Sequence, residues 1–555
     1  MSDARRDVFF LAALGLLGLI GLGSIGLVDY DEAAYAEVAR AMWTSGDWLV
    51  PKLCGEAFFE KPPLLYWVQA LGFAAFGVGE FGARIGTALA GAATPFVLYA
   101  FARGPLGARA ALFAALALGT SLEFVVLSRV AFTDMLLTLW FTICLGALHR
   151  AFQPPVRGTG FFALACLASA LAILTKGAIG VLFPGAVALI HLLAVGRLRL
   201  ALRPIWIAIA IPLVLGLGFS WYLLLGLTQP GGFGFMQQLF LEHHVGRFTA
   251  PMQGHAGSPF FYLPVLAVGM LPWSPFLPLA LVRAELRGHD ERAEFLRLFA
   301  LFSGLVFVFF SIAATKLPNY LAPALPGFAL LVGDLFARAR ARERWFTASV
   351  AAALAATLLL ALALALAPLV PPLFARLLEE RAEKLPGLAQ PFALGAAPVF
   401  AAFALVAACV SAFAASRAQR TERVFAALVV GFVCTYTILF QAVLPRVDAR
   451  FSAPLRQLAA RAAPLSSGSE PIALLGLRRR PSVCFYAERT GEYVNADGGE
   501  KSLAALFGSV GARIGITSDP VLARFPARER LETLERDSGY VLFRARPAPA
   551  ARLRR

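Results

Sequence analysis

Acids, lysines, histidines and a tyrosine cluster in short polar stretches of a chain that otherwise avoids charge. "VDYDEAAYAEVARAM" carries Asp29, Asp31, Glu32, Tyr35, Glu37 and Arg40. Acids at a helix start suit its dipole, so capping alone would account for Asp31 and Glu32. "FFEKPPLLYW" sets Glu60 beside Lys61, with Pro62 and Pro63 fixing the backbone, and "SRVAFTDMLLTLW" holds Arg129 and Asp134. N-capping by Thr133 or Asp134 competes there with a functional reading. "LEHHVGRFTAPMQGHAG" concentrates Glu242, His243, His244, Arg247 and His255, "LTKG" adds Lys176, and "TKLPNYLAP" adds Lys316 and Tyr320. Interfacial anchoring is the plain reading of Lys and Tyr together. Lysine and arginine would bind phosphate. Carboxylates would bind a sugar's hydroxyls, a metal or a cationic amine. Histidine with carboxylate can ligate Zn²⁺. No HxxxH or HExxH helix is present, and a protonated loop histidine holding an anion is an equal alternative.

The elements that must position these groups are membrane helices. Of 555 residues, 59% are hydrophobic and 15% charged, where a soluble protein carries about 25% charged residues. Apolar runs near the roughly 20 residues that cross a bilayer recur along the chain. They fall near 8–28, 81–102, 110–128, 131–148, 160–175, 178–196, 204–226, 259–282, 298–315, 321–337, 345–368, 390–415 and 424–444. The expectation is a polytopic α-helical membrane protein of about 13 transmembrane helices. The first run reads as a retained helix, since it lacks a cleavage site. Its "GLGSIG" matches GxGxxG, but inside a spanning helix small residues serve packing rather than nucleotide binding.

Net charge is +16, which in a soluble chain would suggest nucleic acid. Here the arginines gather in alternate loops, the positive-inside bias, so no nucleic-acid partner is expected. With the N-terminus cytoplasmic, Lys52, Lys61, Lys176, Lys316, Lys384 and Lys501 all fall on the opposite, outer face. Segments 29–80 and 227–258 are then long outer loops. In the first, amphipathic helices over Asp31–Thr44 and 63–77 suit the interface plane. Residues 1–444 form the membrane domain. Residues 445–555 turn polar, with apolar runs 471–477, 482–487 and 538–543, and read as an outer soluble α/β domain with a disordered tail. No CxxC spacing marks a metal or redox cluster, and Cys54 and Cys484 share the outer, oxidising side, where a bridge between them is an open reading.

Acids, bases and histidines from five loops thus project from one membrane face. Independent capping and anchoring would not confine them so, and the combination suits a substrate both anionic and lipid-borne. At this point the chain resembles the GT-C membrane glycosyltransferases. More closely it is similar to the bacterial lipid A aminoarabinose transferases, relatives of the protein O-mannosyltransferases. The likeness rests on residues 29–67, "SRVAFTDMLL", "HHVGRF…H…PFFYLP" and "KLPNYLAP". It implies a GT-C catalytic domain and an inverting transfer of a sugar, with 4-amino-4-deoxy-L-arabinose as candidate. The donor is a polyprenyl (undecaprenyl) phosphate and the acceptor lipid A or another envelope acceptor, at the periplasmic side of the inner membrane. By motif, Asp31, Asp134 and Lys61 become catalytic residues. Lys61, Arg84, Arg129, Arg247, Lys316 and Tyr320 become carrier-phosphate contacts, and Glu60 with His243 or His244 becomes a divalent metal site such as Zn. The rivals are a protein O-mannosyltransferase-like enzyme and a lipid or sugar transporter. A transporter would place ionisable residues at mid-bilayer and show repeats, and neither pattern is found.

Overall fold

A chain this apolar must satisfy its backbone internally, and helices do so within one segment. The computed structural model describes residues 3–153, 158–237, 239, 246, 257–370, 386, 392–466, 470–477, 480–508 and 512–546. Among these, eight helices are long and apolar enough to cross a membrane, or up to ten if each of two bent pairs counts as one span. The bent pairs are Pro204–Leu217 with Ser220–Thr228 (45°) and Pro259–Gly269 with Ser274–Arg283 (112°).

The other three expected spans are shorter helices. These are α1 (Asp3–Leu19), the broken pair α5 (Ala108–Thr120) and α6 (Leu122–Leu127), and the helix Ile179–Ala194. Hydropathy does not register the extended Ser121 that separates α5 from α6. It also carried the first predicted helix through a glycine run that is not helical. The α1 helix stops at Leu19 and Gly21 adopts φ +69°, a conformation glycine adopts freely. The carbonyls stranded beyond α1 are taken by two arginines, described below.

Two helices are central. α7 (Thr133–Phe152) and the segment Pro318–Arg338 are 83% and 94% buried over their apolar windows, against 28% for Arg344–Leu369. Both begin at motifs picked out above, which places Asp134, Asn319 and Tyr320 at the mouth of the core. The segment 29–80 folds as α2 (Asp31–Ser45), a two-stranded ribbon of β1 (Lys52–Leu53) and β2 (Glu56–Ala57), and α3 (Leu64–Phe76), followed by the spanning α4 (Glu80–Ala102). The two outer helices match expectation in extent. However, α2 buries Glu32 through Ala39, so it is packed into the protein rather than laid along an interface.

The helical run Thr421–Phe451 passes straight through the expected boundary at 444/445. Beyond it, β3 (Ile472–Leu475), β4 (Gly491–Val494), β5 (Arg513–Ser518), β6 (Leu531–Asp537) and β7 (Tyr540–Ala545) make a sheet of order β4-β3-β5-β7-β6. β3 pairs parallel with both β4 and β5, while β7 pairs antiparallel with β5 and β6. Parallel pairs need crossovers. The helices Pro481–Ala487 and Glu500–Phe507 supply them. The expected α/β unit is present; of the tail expected to be disordered, 544–555, Arg544 and Ala545 close β7 instead, and residues 547–555 lie outside the described residues.

This unit is fastened to the first outer loop. Cys54 and Cys484 form a disulfide. Asp29 accepts hydrogen bonds from the Ser482 backbone N–H (3.0 Å) and hydroxyl (2.5 Å). Asp448 accepts from the Gly26 N–H (2.8 Å) and Tyr486 from the Leu27 N–H (2.8 Å). A native bridge closing a long loop contributes about 2–4 kcal/mol. We therefore expect Cys54→Ser/Cys484→Ser to lower the melting temperature and to speed proteolytic cleavage near residues 466–471. Unchanged cleavage would show that the polar contacts alone hold the unit in place.

Candidate active site

The site is assembled by one buried carboxylate, Glu32. Its Oε2 accepts from the Val28 N–H (2.8 Å), closing the turn into α2. Its Oε1 accepts from the Ala131 N–H (2.9 Å), in the loop that leads into α7. Glu32 therefore holds the segment bearing Asp31 against the segment bearing Asp134. Arg84 neutralises it from α4: Nε lies 2.7 Å from Oε1 and Nη2 2.8 Å from Oε2. Arg84 also donates to the Leu22, Ile25 and Gly26 carbonyls (2.8–3.0 Å). Every N–H of its guanidinium is thus used inside the protein, and the residue is 1% exposed. That geometry leaves Arg84 no donor for the carrier phosphate that the family likeness implied. Arg129 likewise donates to the Gly18 (2.5 Å) and Ile20 (2.8 Å) carbonyls at the end of α1.

Asp134, in the first turn of α7, is 2% exposed and fully paired. Oδ1 accepts from Lys176 Nζ (2.5 Å) and Oδ2 from Asn319 Nδ2 (2.9 Å). Lys176 Nζ lies 4.9 Å from the centre of the Tyr320 ring, so the cation meets carboxylate and aromatic face together. Lys316 donates to the Phe310 (2.9 Å) and Ser311 (2.6 Å) carbonyls at the end of Glu291–Ile312. Burial holds its ammonium below the ordinary lysine value. Among the described residues it forms no ion pair with a carboxylate. Tyr262 braces this turn, donating to the Leu317 carbonyl (2.9 Å) and accepting from its N–H (3.2 Å).

Asp31, Glu60 and Asp134 converge on Tyr35. Burial raises its phenol well above the usual value, and the nearby charges of these three carboxylates add to the rise. Asp31 and Glu60 act in the same way on buried Tyr66. The Lys61 ammonium sits 3.3 Å from the Glu60 carbonyl and is largely buried. The segment carrying Asp31, Glu60 and Lys61 thus meets the start of α7 through Glu32 and through Tyr35, whose ring centre lies 6.5 Å from that of Phe132. His243, His244, Arg247 and His255 lie outside the described residues. Among the described residues, no three His, Cys, Asp or Glu side chains come together as a metal would require. Glu60 is the only predicted ligand present there.

Several contributors were not singled out from sequence as site residues. Lys176 and Asn319 complete Asp134, and Asn319 stood in view within "KLPNYLAP". Glu32 was read as a cap. Glu123 places both carboxylate oxygens in the interior with no hydrogen-bond partner among the described residues. Nothing in "SLEFVVL" signalled that.

The same fold is found among solved structures. Across 98% of both chains the structure superimposes on ArnT from Cupriavidus metallidurans bound to undecaprenyl phosphate (TM-score 0.81, 24% identity). The apo form of the same protein gives a TM-score of 0.78 at 23% identity. In sequence, residues 60–222 match the family described as dolichyl-phosphate-mannose-protein mannosyltransferase. The chain is 35% identical over 334 residues to the undecaprenyl phosphate-alpha-4-amino-4-deoxy-L-arabinose arabinosyl transferase of Pseudomonas paraeruginosa (strain DSM 24068 / PA7), 59% of each chain. The enzyme of that name from Edwardsiella ictaluri (strain 93-146) is 33% identical over 313 residues, 56% of this chain and 55% of its own. These alignments span less than two thirds of the relatives' length.

Proposed function

We propose that this chain is an inverting glycosyltransferase that takes a sugar from undecaprenyl phosphate and transfers it to lipid A or another envelope acceptor. It would work on the periplasmic face of the inner membrane. The observation that carries the reading is the Asp134–Lys176–Asn319 cluster, with Tyr320 against Lys176. The sequence likeness to the arabinosyl transferases supports 4-amino-4-deoxy-L-arabinose as the sugar.

In the transfer, an acceptor oxygen attacks the anomeric carbon opposite the carrier phosphate. The C1–O bond to that phosphate breaks, its electron pair leaves on polyprenyl phosphate, and a new C1–O bond forms with inversion. Lys61, Lys176 and Lys316 would meet the charge that develops on the leaving phosphate. Tyr320, stacked on Lys176, would position the phosphate. Arg247 remains a phosphate contact by motif alone. If the acceptor is a phosphate, no proton need move. If it is a hydroxyl, Asp31 is the base that takes its proton.

The divalent cation is proposed on Glu60 with His243 or His244. The described donors do not by themselves make a metal centre, and no step above passes through one. A metal held there should co-purify stoichiometrically with the protein and be lost from Glu60→Ala, as measured by elemental mass spectrometry. A metal-free wild type would take Glu60 out of this role.

The deciding experiment incubates purified protein with polyprenyl-phosphate sugars and lipid A, with products followed by mass spectrometry. Turnover with nucleotide sugars and none with polyprenyl-phosphate donors would overturn the proposal. Transfer to a peptide hydroxyl rather than a glycolipid would favour the O-mannosyltransferase-like alternative.

A further inference from the structure

A second opening lies away from the lysine cluster. Between α1, α4, α6 and the Thr421–Phe451 helix is an open groove. Leu14, Gly18, Gly91, Ser128, Arg129 and Phe440 are among its walls. Its rim is apolar and open: Leu17 is 40% and Ile20 51% exposed. In a chain of membrane helices, such a rim faces lipid tails rather than water.

One feature of the groove is costly unless it has a use. Arg129 is 9% exposed and, among the described residues, makes no ion pair with a carboxylate. Its two bonds to the Gly18 and Ile20 carbonyls leave N–H groups over, and its guanidinium carbon lies 4.3 Å from the centre of the Phe440 ring. Arginines at membrane depth are normally paired with an anion. Among the described residues, Arg84 has Glu32 and Lys176 has Asp134, while Lys316, like Arg129, has carbonyl partners and no carboxylate. An apolar trough ending in an unpaired guanidinium fits a lipid with acyl chains and a phosphate head.

Two lipids must reach this site, and the elements separate their routes. Lys176, Lys316 and Tyr320 belong to Thr159–Lys176, the turn after Glu291–Ile312, and Pro318–Ala324. None of these elements lines the groove. From Arg129 the chain runs through Ala131, held by Glu32, to Asp134. A head group at Arg129 would therefore sit five positions along the chain from Asp134, on elements other than those that carry Lys176, Lys316 and Tyr320. We propose that this groove seats the acyl chains of the phosphate-bearing lipid acceptor, with Arg129 as the counter-ion of its phosphate. The inference rests on the glycosyltransferase reading above.

Gly18 provides a clean probe. A Cβ built there meets nothing within 4 Å, and its carbonyl bond to Arg129 does not depend on its side chain. Gly18→Trp should fill the groove without disturbing the backbone. The full chain, in nanodiscs, would be irradiated with lipid A bearing a diazirine in one acyl chain, with diazirine polyprenyl phosphate, or with diazirine phosphatidylglycerol. We expect lipid A to label peptides containing Leu14, Leu17 or Phe440, with unlabelled lipid A displacing it and polyprenyl phosphate not. Gly18→Trp should cut that labelling and raise the acceptor KM by about tenfold or more, with affinity for polyprenyl phosphate unchanged. Arg129→Gln should act in the same direction, with Arg129→Lys in between. Labelling by polyprenyl phosphate instead would make the groove the donor's and overturn the proposal. Equal labelling by phosphatidylglycerol that lipid A does not displace would reduce it to a boundary-lipid seat, and an unchanged KM in Gly18→Trp would also overturn it. If lipid A labels the groove but no polyprenyl-phosphate sugar is turned over, the glycosyltransferase reading fails and the lipid site stands.

Discussion

Arg84→Met is expected to destabilise the protein by about 3–5 kcal/mol, the cost of leaving one member of a buried ion pair alone. Glu32 is 0% exposed and would lose its cationic partner. The Leu22, Ile25 and Gly26 carbonyls would lose their donor in the same change. Glu32→Gln should also destabilise the fold, and the double variant should fall short of the sum of the two, because each single change leaves the other group stranded. Melting temperature in detergent, read by intrinsic fluorescence, measures this. A variant with native stability and weakened polyprenyl-phosphate binding would return Arg84 to the phosphate site where its motif had placed it.

That contrast marks what a sequence can carry. Asp31, Glu60, Lys61, Asp134, Lys316 and Tyr320 were legible because each interrupts an apolar context with a group that needs a reason to be there. In the structure Glu32 ties the segment 29–80 to the start of α7, and Asn319 ties the second central helix to the same point. Arg84 and Arg129 interrupt their surroundings just as clearly, yet much of their hydrogen bonding serves backbone carbonyls between residues 18 and 26. Those carbonyls are exposed only because α1 ends at Leu19, and a window of hydropathy cannot place that end when glycine, serine and isoleucine follow. Each expected span contains helix among the described residues, though some are shorter or bent. Composition cannot distinguish a straight helix from one broken at Ser121 or folded back by 112° between Gly269 and Ser274. Pairing is the other thing hidden from composition. Asn319 and Lys176 lie 185 and 42 positions from Asp134 in sequence, and only packing shows that both donate to one carboxylate.

Asp31→Asn separates the chemical alternatives left by the proposed function. Asp31 is the exposed first residue of α2, next to the anchored Glu32, so the substitution should leave the fold intact and the melting temperature near that of the wild type. With a hydroxyl acceptor the enzyme loses its general base, and kcat should fall by about 10²–10⁴-fold. An added primary amine or other small base should then recover part of the rate. With a phosphate acceptor the nucleophile is already ionised, so the loss should come from a misplaced sugar or cation, and no base should rescue it. Asp134→Asn serves as the comparison. It keeps a polar side chain beside Asn319 but leaves the Lys176 ammonium unpaired in a buried site. That frees a cation for the carrier phosphate while removing what holds it in place. We expect kcat to drop by about 10²–10³-fold, the scale seen when one preorganised charge-stabilising contact is lost, with little change in acceptor KM. Transfer assays with a polyprenyl-phosphate sugar and lipid A measure both variants. Full activity in Asp31→Asn would remove that residue from the chemistry. The acceptor would then be activated by its own charge, and the carboxylate cluster around Tyr35 would serve the sugar alone.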